Sequence, residues 1–204
     1  RIVGRSQHTL EGCMKIIVQG LATEYADEGT GPVVLMLHGW KDTLHTFDAI
    51  AAQLSGQYRI VRLDMPGFGQ SEILDPSWRL DDYVDFVDAF TKKLNLQVDT
   101  VVGHSFGGRV IIKGTARRMF APRRIVLIAA AGVAERKTTR SVVLKIAAKA
   151  GKFATMPLPQ GIRQKLRRRL YRSVGSDYHA SGSLKDIFLN IIKEDLSHAA
   201  SLVT

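Results

Sequence analysis

Val101-Val102-Gly103-His104-Ser105-Phe106-Gly107-Gly108 is the stretch that decides how this chain is read. The β-branched run Thr100-Val101-Val102 predicts a buried strand. Gly103-His104-Ser105-Phe106-Gly107 fits G-x-S-x-G, and Arg109 to Ala116 continues as a helix. Strand, tight turn and helix is the context that gives this pattern meaning. Such a turn holds the serine in a strained backbone conformation and lifts its hydroxyl off the sheet edge. Gly103 and Gly107 lack Cβ atoms, so strand and helix can approach closely around the turn. The helix starts directly behind Ser105, with free N–H groups and the positive end of its dipole aimed at developing negative charge. The plainer alternative is a glycine-rich βα turn that binds nothing. The flanking strand and helix and the extra Gly108 weigh against it.

Working outward, Val33 to Leu37 is an uninterrupted apolar run, the pattern of a strand covered on both faces, and it ends at His38-Gly39-Trp40. Before it, Met14–Gln19 and Leu21–Asp27 predict two strands joined at Gly20 as an antiparallel hairpin. After it, Thr46–Leu54 has helical spacing, with Phe47, Ile50, Ala51 and Leu54 on one side. Tyr58–Leu63 predicts a strand leading into Asp64-Met65-Pro66-Gly67-Phe68-Gly69-Gln70-Ser71. Leu80–Leu94 predicts an amphipathic helix, with Tyr83, Val84, Val87 and Phe90 inward and its acids outward. Ile125–Ala130 predicts one more buried strand. Strands alternating with helices imply an α/β fold with a doubly wound, mostly parallel sheet, which binds ligands at the carboxyl ends of its strands.

The character changes near Gly132. Arg136 to Arg172 holds twelve Lys or Arg and no Asp or Glu, more than the net charge of +10 carried by all 204 residues. Ser141–Ala150, Gly161–Tyr171 and Leu184–Ile192 predict helices. Solvation of an exposed helical face is the default meaning of such charge. Attraction of an anionic substrate or an anionic membrane surface is the second meaning. Nucleic acid is not expected as a partner, because the charges show no regular interleaving with aromatics and no binding motif. Cys13 is the only cysteine, which leaves no intrachain disulfide and no cysteine-based metal cluster. No cofactor or metal is implied. Without a visible signal pattern or an apolar run near the roughly 20 residues of a bilayer span, a cytoplasmic protein is expected.

His38-Gly39-Trp40, Asp64–Ser71 and Gly103–Gly108, in this order and each after a strand, resemble the α/β-hydrolase superfamily, in its branch of small esterases and carbon–carbon bond hydrolases. The resemblance covers residues 14–133 and divides the chain into a core, 1–133, and a basic helical cap or lid, 134–204. It implies a serine hydrolase acting on a carboxylic ester or similar small acyl substrate. Ser105 is then the nucleophile, and the backbone N–H groups of Trp40 and Phe106 form the oxyanion hole. His38, Gly39, Gly103, His104 and Gly107 support the motifs. Two alternatives stay open: a carbon–carbon bond hydrolase using the same serine, and a non-catalytic ligand-binding protein on this fold.

Serine needs a histidine base and the base needs an orienting carboxylate. In this superfamily both follow the cap, on strands that have no counterpart before Thr204, so the chain is expected to be a fragment, with its sixth strand left as an exposed apolar edge. Within the chain, His198 reads as a solvated histidine at a helix end, and His179 as a loop residue in a Gly/Ser stretch. His8 and His45 read as surface groups, and His38 as a structural hydrogen-bonding residue. Glu135 follows the sixth strand but sits among cap-entry residues. Asp64 is expected to tie down its own loop through backbone N–H groups. Trp40 is expected to wall the acyl pocket or fill space under the cap, and Met156 and Leu158 to line a channel or simply pack.

Overall fold

Five consecutive apolar residues in the middle of a parallel sheet must satisfy two cores at once, and Val33–Leu37 does so. The computed structural model describes residues 12–72, 75–130, 132 and 184–203. Val33–Leu37 is strand β3, following the hairpin β1 (Cys13–Val18) and β2 (Leu21–Glu28). A two-residue turn, Gln19-Gly20, joins the hairpin with both residues at positive φ, the twist that matches right-handed strands. A short 3-10 turn (Leu44–Phe47) leads into α1 (Asp48–Leu54), then β4 (Arg59–Leu63), α2 (Leu80–Lys93), β5 (Val98–His104), α3 (Phe106–Ala116) and β6 (Arg124–Ile128). Two further helices are α4 (Lys185–Ile192) and α5 (Ser197–Ser201).

The six strands lie in the order β1-β2-β4-β3-β5-β6. β1, β2 and β4 pair antiparallel, and β4, β3, β5 and β6 run parallel. This is the mostly parallel α/β sheet expected from the alternating pattern. Alternate residues of β3 face opposite layers. Leu35 and Leu37 join Val61, Leu63 and Val101 under α2 and α3, while Val34 and Met36 join Ile60 and Val102 under Phe47 and Ala51. On α2, Leu80, Tyr83, Val84, Phe86, Val87 and Phe90 are fully buried. Each such side chain contributes about 1.5–3 kcal/mol on removal from water. The Arg79 N–H donates to Asp82 at 2.6 Å, fixing the start of the helix, and Lys92 and Lys93 sit at its negative end.

Three expectations need correction. Ile50 is exposed, because α1 turns Phe47 and Ala51 inward and leaves Ile50 on its outer side. Asp88 of α2 is buried rather than outward, compensated by Lys92 at 2.7 Å. Val126, Leu127 and Ile128 of β6 are about 40% exposed, so β6 is not a buried strand. Among the described residues it pairs with β5 alone and lies at one edge of the sheet. No helix among the described residues is long and apolar enough to cross a membrane.

Candidate active site

β5 ends at His104 and α3 begins at Phe106, leaving Ser105 alone at the junction with φ 47° and ψ −103°. This backbone conformation is unfavourable for a residue with a Cβ and is tolerated only where the surroundings impose it. Here they do. The Ser105 N–H donates to the Ile128 carbonyl of β6 at 3.0 Å, and the Ser105 carbonyl accepts the Arg109 N–H at 3.3 Å. The Gly107 N–H donates to the His38 carbonyl at 3.1 Å. A Cβ on Gly107 would stand 2.1 Å from the Leu37 carbonyl oxygen, so α3 sits against the end of β3 at a distance only glycine permits. Ser105 is half-buried, and among the described residues no side chain is hydrogen-bonded to its Oγ.

The His38-Gly39-Trp40 loop lies beside this serine. A Cβ on Gly39 would be 2.8 Å from His104 Nδ1 and 3.6 Å from the Ser105 Cβ, so the Gly39 backbone packs directly on the elbow. The parallel β3–β5 register, which sets Leu37 opposite Gly103, makes the two segments neighbours. The structure therefore brings His38, Gly39, Trp40, Gly103, His104, Ser105, Phe106 and Gly107 together. The Phe106 N–H is at the first position of α3, where a helix offers no internal acceptor.

His38 is fully buried. Its Nδ1 bonds the Gly39 carbonyl at 2.7 Å and its Nε2 accepts the Met65 N–H at 3.0 Å. That pattern requires the neutral ring with the proton on Nδ1. Burial holds its pKa below the ordinary histidine value. Both nitrogens are used, as its structural reading requires. His104 is partly exposed, with Nδ1 4.0 Å from Asp42 Oδ2, and packs against Gly39. Asp64 is buried and accepts N–H groups from Leu44 at 2.7 Å and Gln70 at 2.9 Å. It thus ties two loops, not its own alone. Burial, and the nearby Asp64 carboxylate, push the Glu24 carboxyl above its ordinary range. His45 is exposed beside Asp48, and His198 is exposed on α5. His8, Glu135, Met156, Leu158, His179 and the basic stretch 136–172 lie outside the described residues.

The motifs did not reveal an aromatic group at this site. Trp40 meets Phe68 at 4.8 Å, Phe106 at 5.4 Å and Phe188 of α4 at 5.2 Å between ring centres. Phe106 in turn meets Tyr83 at 4.9 Å. Phe68 and Phe106 are buried, whereas Trp40 and Phe188 keep part of their surface open. Arg109 was also missed. It is 5% exposed and donates through Nη2 to the Ile191 and Glu194 carbonyls, both at 2.6 Å. The available signal was a cation inside the apolar face of the helix after the elbow.

A mostly parallel sheet that presents a strained serine between strand and helix, beside a glycine loop from the neighbouring strand, defines a class of α/β folds. The family model for the alpha/beta hydrolase fold matches residues 32–203, and the chain belongs to that family. Among curated relatives, 2-hydroxymuconate semialdehyde hydrolase of Pseudomonas sp. (strain CF600) is 30% identical over 135 residues, covering 62% of this chain and 46% of that protein. Pimeloyl-acyl-carrier-protein methyl ester esterase of Shewanella woodyi is 36% identical over 103 residues, covering 50% of this chain and 37% of that protein. The chain thus spans less than half the length of these two relatives. A meta-cleavage product hydrolase from Pseudomonas fluorescens IP01 superposes with a TM-score of 0.56 at 28% identity, over 64% of this chain and 50% of that one. A bacterial membrane phospholipase A superposes with a TM-score of 0.69 over 94% of this chain and 66% of that one, at 22% identity, which is a likeness of fold.

Proposed function

We propose that the chain carries the nucleophile and oxyanion hole of a serine hydrolase that cleaves a carboxylic ester or similar small acyl substrate. The observation that carries this reading is Ser105 at φ 47°, held between β5 and α3 with the Gly39 backbone against it. Ser105 Oγ attacks the acyl carbon, and the carbonyl electron pair moves onto oxygen. The N–H groups of Phe106 and Trp40 stabilise that oxyanion, aided by the positive end of α3. Each such donor contributes about 3 kcal/mol to transition-state stabilisation in comparable sites. His38 does not serve as base, since both its nitrogens are engaged. The base and its orienting acid are supplied by residues outside those described. Residues 134–204 serve as a basic cap segment, and the working compartment is the cytoplasm.

The test is hydrolysis of p-nitrophenyl acetate by the full-length protein. Ser105→Ala is expected to lower kcat by at least about a thousandfold while leaving the circular dichroism spectrum unchanged. Full activity in the folded variant would refute the reading. Likeness to 2-hydroxymuconate semialdehyde hydrolase favours a second reading, carbon–carbon bond cleavage by the same serine. Turnover of 2-hydroxymuconate semialdehyde that far exceeds ester turnover would select it.

A further inference from the structure

The nucleophile helix does more than carry the serine, because its next two turns grip the end of α4. Arg109 lies one turn after Ser105, and its Nη2 bonds both the Ile191 and Glu194 carbonyls at 2.6 Å. These carbonyls lie at the negative end of α4, where a cation is favoured. One turn further, the Lys113 Nζ lies 2.7 Å from Glu194 Oε1 and 2.7 Å from Asp81 Oδ2 of α2. Gly132 completes the knot. Its carbonyl accepts the Leu196 N–H at 2.8 Å, and a Cβ there would stand 2.6 Å from Arg109 Nη1. Ile187 and Ile191 bury the inner side of α4, which leaves Phe188 toward Trp40 with a ring separation of 5.2 Å. Trp40 also meets the buried rings of Phe68 and Phe106, while Trp40 and Phe188 are themselves only partly buried.

We infer that Phe188 determines acyl-group selectivity, favouring flat apolar or aromatic acyl groups, and that Arg109 is the positioning residue that holds Phe188 against Trp40. The inference rests on the serine-hydrolase reading of Ser105. An aromatic acyl group gains an apolar, T-shaped or stacked contact from the two rings, whereas an acetyl group is too short to reach both.

The experiment compares p-nitrophenyl phenylacetate with p-nitrophenyl acetate in the full-length protein. The variants are Phe188→Ala, Arg109→Lys and the double variant. Phe188→Ala is expected to lower kcat/KM for phenylacetyl about tenfold and for acetyl less than about twofold, the scale of one lost aromatic contact. Arg109→Lys shifts the same ratio about threefold through KM, with kcat kept, and adds nothing in the Phe188→Ala background. Should Arg109→Lys fail to fold, Lys113→Ala replaces it, with Arg109 left in place. Equal losses on both esters, or a ratio shift that persists fully in the double variant, would overturn the inference. If the wild-type protein hydrolyses neither ester, the serine-hydrolase reading fails by itself. Calorimetric titration with phenylacetate then decides: weaker binding to Phe188→Ala supports the aromatic wall, and unchanged binding overturns it.

Discussion

Ser105 sits where most residues would not. A non-glycine residue at φ 47° and ψ −103° carries a cost of order 1–3 kcal/mol, and Ser105 Oγ makes no side-chain bond among the described residues to offset it. Ser105→Gly is therefore expected to stabilise the fold by about 1 kcal/mol, since glycine adopts this conformation freely. Thermal unfolding checks it, and a lowered midpoint would contradict the strain argument. The elbow, the His38-Gly39-Trp40 loop and Asp64 were all legible in the chain, because each depends on a local requirement: a glycine where two backbones meet, or an aspartate where a loop needs an acceptor. Phe188 and Arg109 were not legible. Their importance comes from partners far along the chain, Trp40 for one and the Ile191 and Glu194 carbonyls for the other, and periodicity is silent about such pairings.

At the scale of elements, α1 is attached to the sheet by a buried charge as well as by its apolar side. Arg62 of β4 is 6% exposed and pairs with Glu28 of β2 and Asp48 of α1, while its Nη1 also reaches the Leu44 carbonyl at 3.4 Å. Arg62→Ala is expected to cost about 1–3 kcal/mol, because it removes a buried side chain and its bonds to Glu28, Asp48 and the Leu44 carbonyl, while both carboxylates keep access to water. By contrast, His45→Ala removes only an exposed pair with Asp48 and should cost less than about 1 kcal/mol. Urea unfolding of both variants measures the difference, and equal costs would show that Arg62 is not the anchor. Element types and order followed from hydrophobic runs. The inward-facing side was misjudged where it depended on a neighbour, as at Ile50, or on a paired charge, as at Asp88.

At the scale of the whole sheet, the described strands leave two unlike edges. β1 closes one side through a hairpin, while β6 presents Val126, Leu127 and Ile128 at the other. Exposed apolar edge strands template pairing with another chain. Residues 1–204 on their own are expected to self-associate, and Leu127→Lys to reduce that association, because a charge on an edge strand opposes it. Sedimentation velocity over a range of concentrations checks this, and a monodisperse wild-type monomer would contradict it. The exposure of β6 was foreseen in the chain as an edge, although the same residues read alone as a buried strand, because an apolar run does not say which neighbours a strand will have.

The β3–β5 pairing that sets Leu37 beside Gly103 also orders events in time. As the chain leaves the ribosome, β3 and its His38-Gly39-Trp40 loop are made well before Ser105. Until β5 docks, nothing forces the serine out of relaxed backbone geometry, since the bond from Gly107 to His38 needs β5 beside β3 and the bond from Ser105 to Ile128 needs the later strand β6. The strained backbone at Ser105 thus forms through closure of a long-range contact rather than on synthesis of the serine itself.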